Sequence, residues 1–242
     1  MKHIFRKWEA NMTMEYRTEF LEKIERTPTA ISYRFKLPEG FNFIAGQYML
    51  VNLGNKLVHP LSLSNCPEES EFIEFTKRMT GSPFCGRLAS LKKGETISVE
   101  EPAGEFCLAD SNETLVMIAG GIGITPIRSI LTSLEKKNGN SGSVILIYGN
   151  SNREDIAFRD ELENIKLPDY HLVHVLSDIT GMEKAYQGFI NADIISKEVP
   201  KSSQARYMVS GPPVMVEAIK KALVTIDVAE DRIRTDIFLG YS

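Results

Sequence analysis

No apolar run in the 242-residue chain approaches the roughly 20 residues that a membrane-spanning helix needs. The polar start from Met1-Lys2-His3 to Asn11 also lacks the apolar core of a signal peptide. Both absences read as a cytoplasmic protein with no membrane partner. The three cysteines, Cys66, Cys85 and Cys107, contain no C-x-x-C pair, which excludes the usual zinc and iron–sulfur spacings. The histidines His3, His59, His171 and His174 are scattered, and the last two fall in a strand-like run that turns them to opposite faces, so no metal site is expected. With a net charge of -4 and both signs interspersed, there is no basic stripe for nucleic acid. Lys92-Lys93 and Lys77-Arg78 read as solvated faces.

Against these absences stands one dense stretch, Leu115-Val116-Met117-Ile118-Ala119-Gly120-Gly121-Ile122-Gly123-Ile124-Thr125-Pro126. Leu115 to Ile118 show no alternation, as expected of a parallel strand covered on both faces. The glycines then let backbone approach a ligand closely. Thr125 reads as an N-cap and Pro126 as the first helical residue, with Ile127, Ile130, Leu131 and Leu134 at helical spacing. Such a helix start favours an anion by about 0.3–1 kcal/mol from its dipole alone. The pattern is Gly-Gly-x-Gly-x-x-Pro, not G-x-G-x-x-G, and the next strand, Val144 to Tyr148, ends in Gly149-Asn150-Ser151 without the usual acid. Taken alone, the turn fits either a phosphate site or a tightly packed strand-to-helix junction.

A second strand-turn-helix, Tyr207-Met208-Val209-Ser210-Gly211-Pro212-Pro213-Val214-Met215, weighs toward the ligand. Ligands of open α/β sheets lie beyond the carboxyl ends of the strands, so two such turns would grip one dinucleotide from the same crevice. From Thr114 onward strands and helices alternate, as in a doubly wound parallel sheet. The first hundred residues differ: the runs Ile31–Leu37, Gln47–Leu53, Leu61–Ser64, Phe72–Lys77 and Thr96–Glu100 predict a six-stranded antiparallel barrel. The join is expected in Ala109-Asp110-Ser111-Asn112-Glu113, giving units of 1–110 and 111–242.

A barrel followed by this α/β unit, with both turns in this order, resembles the ferredoxin–NADP reductase-like family of FAD-dependent NAD(P)H oxidoreductases. His59-Pro60-Leu61-Ser62 stands where the family carries Arg-x-Tyr-Ser, and Gly81-Ser82-Pro83-Phe84-Cys85-Gly86 resembles its flavin-phosphate turn. Tyr148-Gly149-Asn150 and Phe238-Leu239-Gly240-Tyr241 also look like this group. The resemblance implies FAD on the barrel, NADH or NADPH on the α/β unit, and hydride transfer between them to serve a separate acceptor such as a ferredoxin. It implies that Ser62 bonds near flavin N5, Thr125 reaches toward the flavin, Phe238 covers its ring, and Gly120, Gly121 and Gly123 take the pyrophosphate. Ser62, Ser210 and Phe238 form the implied catalytic set. Thr76, Lys77, Pro83, Phe84 and Cys85 join His59 to Ser62 on the flavin side. Pro126, Gly149, Asn150, Gly211, Pro212, Pro213, Met215 and Tyr241 complete the cofactor contacts.

The chain departs from the family at informative places. His59 replaces a charged, bidentate arginine, Leu61 a stacking tyrosine, and Cys85 a hydroxyl, leaving backbone amides as the main donors there. Ser210 replaces a cysteine and Asp236 a glutamate. Ser177 is followed by Asp178, whose charge would repel a 2′-phosphate and leans the choice to NADH. Two other readings remain open: a reductase component serving an oxygenase or ferric chelate, and a regulatory subunit that binds nucleotide but has lost its flavin.

Overall fold

The computed structural model describes residues 14–108, 113–137, 142–199 and 204–238. The first sheet is antiparallel and contains β1 (Glu15–Glu25), β2 (Ala30–Lys36), β3 (Tyr48–Asn52), β4 (Val58–Ser62), β5 (Phe72–Arg78) and β6 (Thr96–Glu100), in the order β4-β3-β6-β1-β2-β5. A bridge between Leu63 and Phe75 joins its two edges and closes the barrel. Inward-facing Tyr33, Phe35, Met49, Val51, Ile73, Phe75 and Val99 form its core, as the alternating runs predict. β1 is absent from that prediction because its sequence is largely charged and a register shift between Phe20 and Glu22 interrupts its alternation. Helix α1 (Pro83–Ala89) follows β5, with Ser82 accepting the Cys85 N–H and proline in the first turn.

The second sheet is wholly parallel. It contains β7 (Leu115–Gly120), β8 (Val144–Asn150), β9 (Tyr170–Leu176), β10 (Tyr186–Gln187), β11 (Arg206–Gly211) and β12 (Ile233–Ile237) in the order β10-β9-β8-β7-β11-β12. Every residue of β7 is buried. Leu115, Met117 and Ala119 pack toward α2 (Ile124–Lys137) and α3 (Arg159–Glu163), while Val116 and Ile118 pack toward α4 (Ala192–Glu198) and α5 (Pro213–Thr225). β8 lies on one side of β7 and β11 on the other, so strand order reverses beside β7, where open α/β sheets bind ligands.

Two local expectations are corrected. The chain makes a 3₁₀ turn at Gly121–Gly123 and enters α2 at Ile124, so Thr125 is a first-turn residue whose hydroxyl donates to Ile122 O at 3.1 Å, not the N-cap. Pro126 still costs nothing, because the first N–H groups of a helix have no intrahelical partner. The helix that Phe158, Leu162 and Ile165 mark in the sequence between β8 and β9 is shorter than their spacing predicts, the single turn of α3, entered through Phe158 at φ 60°. His171 and His174 do face opposite ways, one toward Glu198 at 2.9 Å and the other toward Glu163 at 3.6 Å. Leu239, Gly240, Tyr241 and residues 109–112 of the expected join lie outside the described residues. No helix among the described residues is long and apolar enough to cross a membrane.

Candidate active site

The glycine turn after β7 and the Ser210 turn after β11 meet at van der Waals limits. A Cβ on Gly123 would lie 2.4 Å from Ser210 O, and one on Gly120 would lie 2.1 Å from Met215 Sδ. Glycine is therefore demanded at Gly123, where the contact is with backbone, whereas at Gly120 the end of the flexible Met215 side chain would have to move. Beyond them opens a cleft of about 550 Å³. Gly120, Gly121 and Gly123 line one wall, Pro212 and Met215 another, and Gly149, Asn150 and Ser177 the third. Phe238 lines it from the carboxyl side, its N–H bonded to Gly211 O at 3.0 Å. The sequence-level reading of two turns on one crevice is thus what the chain forms. Thr125, Pro126 and Gly211 are buried behind the cleft wall, with Pro213 opening α5.

Some cleft residues were not singled out in the sequence. Arg78, read with Lys77 as a solvated pair, reaches from β5 over the glycine turn, where its Nη2 would lie 3.3 Å from a Cβ on Gly121. Lys77 is itself buried at 6% exposure, and desolvation lowers its pKa. A two-residue charge run carries no signal of such placement; Arg78 gains it from the glycine turn of the second unit, and Lys77 from the barrel's own turn around Cys85. Phe189 and Val214 also line the cleft while remaining 82% and 84% exposed.

Ser62 ends β4 at 9% exposure, and its side chain lies near Asp236 of β12. Burial pushes the Asp236 carboxyl up to about 6, with the nearby Ser62 hydroxyl opposing the shift. Parallel register places Asp236 beside Ser210, whose Oγ is buried without a hydrogen-bond partner. An orphaned hydroxyl facing two opposed backbone turns is the local chemistry expected of an incomplete binding site. On its other side Asp236 lines a second cleft of about 630 Å³, between the Ile44–Tyr48 and Gly104–Cys107 segments.

The flavin-side residues are gathered less tightly. The His59 ring lies 5.1 Å from Phe84 between centroids, and burial lowers its pKa, which leaves it neutral near pH 7. Pro60 is exposed and Leu61 packs into the barrel core at 7% exposure. Thr76 is buried on β5, bonded to Ser32 at 2.7 Å. The Cys85 sulfur turns inward to Arg78 O at 3.8 Å, and its N–H already bonds Ser82 Oγ at 3.3 Å. Burial raises the Cys85 pKa, but hydrogen bonds from Ser82 and Thr80 and the charge of Lys77 outweigh it and leave the thiol below its ordinary value. Lys77 and Arg78 bring two cations to the end of β5, between α1 and the glycine turn, and this donor set fits an anionic dinucleotide.

A closed antiparallel barrel followed by a parallel sheet whose two turns line one cleft is the two-domain fold of the flavin- and nicotinamide-dependent reductases. The family model for an oxidoreductase NAD-binding domain matches residues 117–221. NADH-cytochrome b5 reductase 1 of Laccaria bicolor is 30% identical over 220 residues, spanning 85% of this chain and 71% of the relative. Among solved structures, the Amycolatopsis cytochrome P450 reductase GcoB is 26% identical with a TM-score of 0.81, over 93% of this chain and 70% of that one. The FAD/NAD-binding domain of a Vibrio cholerae nitric oxide dioxygenase, 19% identical, shares the fold with a TM-score of 0.82 over 92% and 98% of the two chains. The chain belongs to the ferredoxin–NADP reductase-like family. It is a flavoprotein oxidoreductase that uses FAD and a nicotinamide nucleotide.

Proposed function

We propose that this chain moves hydride from NADH to FAD and then delivers electrons to a separate small redox protein of the cytochrome b5 or ferredoxin kind. The observation that supports the reading is the single cleft lined by both turns, Gly120 to Gly123 on one side and Pro212 and Met215 on the other, with Phe238 beside them. The relatives named NADH-cytochrome b5 reductases support both the donor and the kind of acceptor. Residues 1–110 would carry the flavin and 111–242 the nicotinamide nucleotide.

FAD, when bound, supplies a hydride acceptor that can release its electrons singly. The protein supplies position and polarity. His59, Pro60, Ser62, Thr76 and Lys77 would hold the flavin, with Leu61 shaping the strand from inside the barrel and Pro83, Phe84 and Cys85 shaping the turn. Gly120, Gly121 and Gly123 would let the pyrophosphate approach backbone, with Arg78 as its counter-charge. Ser62 would offer its hydroxyl to the flavin, with the nearby Asp236 carboxylate as the acceptor that orients it. Ser210 offers a second hydroxyl from β11, and Phe238 closes the cleft against water.

Asp178 carries the nucleotide choice. It is exposed and ionised, accepting bonds from Thr180 N–H at 2.9 Å and Thr180 Oγ1 at 2.7 Å, which hold its pKa below the ordinary value. Arg153, in the loop after β8, lies beside Gly181, in the loop after β9 that carries Asp178. The fixed negative charge is expected to make kcat/KM for NADPH about tenfold or more below that for NADH, by like-charge repulsion. Asp178→Ser is expected to shrink that preference to about threefold; steady-state kinetics with both donors decide, and an unchanged ratio would acquit Asp178.

The primary test is anaerobic titration of the FAD-loaded protein with each nucleotide, followed by addition of cytochrome b5 or ferredoxin. NADH is expected to bleach the flavin bands, and the acceptor to restore them. Flavin that stays reduced in the presence of both proteins would reject this class of acceptor. Ser62→Ala is expected to slow flavin reduction about tenfold with little change in folding, since it removes one oriented hydroxyl. An unchanged stopped-flow rate would remove Ser62 from the mechanism.

A further inference from the structure

One fully buried carboxylate has no place in this scheme. Glu74 lies at the centre of β5 with no exposure, on the strand face opposite the core residues Ile73 and Phe75. An ion so placed must be compensated. Arg34 Nε donates to it at 2.8 Å, Arg26 Nη2 at 3.2 Å and Arg128 Nη1 at 3.4 Å, while Ser64 Oγ donates at 2.9 Å. Burial opposes its charge, but the guanidinium groups and Ser64 prevail and hold its pKa below the ordinary range. Arg26 and Arg128 are tied in turn to Glu161 of α3, at 2.9 and 2.6 Å, and lie 4.6 and 4.7 Å from the centre of the Phe158 ring. Arg26, Arg34 and Glu74 come from the barrel; Arg128, Phe158 and Glu161 come from the α/β unit.

The network also reaches the reacting groups. Arg128 Nη1 donates to Ser64 O at 2.6 Å and Ser129 Oγ donates to Asn65 O at 2.6 Å. Those carbonyls lie two and three residues beyond Ser62. On α2, Arg128 sits three residues after Thr125 and therefore on the same side of the helix, one turn beyond the glycine turn. We propose that Glu74 is a positioning residue: it sets Arg128 so that Arg128 and Ser129 fix the separation between the Ser62 strand and the helix that begins at the nucleotide turn. The distance crossed by hydride is then determined by this clamp, an inference that rests on the reading above that hydride passes between the two units.

Hydride transfer is steep in distance, and a misplacement of about 1 Å can cost on the order of 100-fold. Anaerobic stopped-flow reduction of the FAD-loaded protein by NADH is run first on the unaltered chain. Failure there overturns the functional reading itself, whereas success leaves the variants to judge the clamp. Glu74→Gln keeps the shape and removes the charge. Its limiting reduction rate is expected to fall about tenfold while FAD content and half-saturating NADH stay within about twofold. The isotope effect from NADH deuterated at C4 is expected to become temperature-dependent, a response that lost stability alone would not produce. Ser129→Ala removes only the bond to Asn65 and leaves no ion unpaired; an approximately threefold fall is expected, and it decides the matter if Glu74→Gln does not fold. In flavin-free protein, amide exchange at residues 62–65 is expected to quicken in either folded variant. A limiting rate equal to that of the unaltered chain, a change confined to half-saturation, or unchanged exchange at 62–65 would overturn the proposal.

Discussion

Gly123→Ala is expected to lower NADH-dependent flavin reduction by about 100-fold or more, because it forces apart the two turns that form the cleft. The new Cβ would lie 2.4 Å from Ser210 O, 2.6 Å from Ser210 C and 2.7 Å from Gly211 Cα. All three are backbone atoms of a strand paired in register with β7, so no side chain can swing aside. Relief requires that β11 and the glycine turn separate by roughly an ångström, at an overpacking cost of about 1–3 kcal/mol. Ser210 and Phe238 move with β11, since Phe238 is bonded to Gly211. Gly121→Ala makes a useful contrast. Its φ of 52° adds local strain of about 1–2 kcal/mol, but the clash is with the end of the flexible Arg78 side chain at 3.3 Å. The expected loss there is smaller and appears mainly in NADH half-saturation. Stopped-flow rates beside the circular dichroism of both variants make the comparison; a Gly123→Ala rate within threefold of the unaltered chain would show that the close approach is dispensable.

The α/β half was legible where its strands are unbroken apolar runs, as in β7 and β8, and where proline stands in the first turn of a helix, as in α2 and α5, signals that depend on neighbours in sequence. Ser210, Pro212 and the glycines could be placed on one crevice for the same reason. The barrel was legible where alternation holds, from Ile31 to Phe35 and from Phe72 to Lys77, and illegible in β1, where charged residues and a register shift mask it. Lys77 and Arg78 could not be told from a solvated pair, because what stands beside them is set by tertiary folding: the Cys85 turn for Lys77 and the glycine turn, more than forty residues away, for Arg78. Glu74 was hidden in another way. On an alternating strand a glutamate on the outer face signals solvent, and nothing local reveals that α2 covers that face and adds Arg128 to the barrel's own Arg26 and Arg34. Long-range ionic partners leave no periodic trace.

Flavin reduction by NADH is expected to fall as pH is lowered through about 6, and the inflection to vanish in Asp236→Asn. An ionised carboxylate near Ser62 is the better acceptor for its hydroxyl, so protonation is expected to weaken that acceptor and leave the hydroxyl free to turn. Ser62 and Ser210 face Asp236 from β4 and β11, and neither titrates in this range. Arg234, two residues earlier on β12, is held by the carbonyls of Glu105 and Cys107 at 3.4 and 2.6 Å. Asparagine cannot supply the charge, so Asp236→Asn is expected to lose about 30–100-fold in the limiting rate, within the range of positioned acid–base groups. Stability should move oppositely. Because burial raises this carboxyl from 3.8 to about 6, the folded chain binds more protons than the unfolded one between those values. Its contribution is therefore fully present below pH 3.8 and is lost as pH rises through about 6. At pH 7 to 8 the buried charge is a net cost, and Asp236→Asn is expected to gain about 1–3 kcal/mol in denaturant unfolding. A variant both slower and more stable would mark Asp236 as a group kept for chemistry against the interest of the fold, whereas one slower and less stable would return it to a structural role.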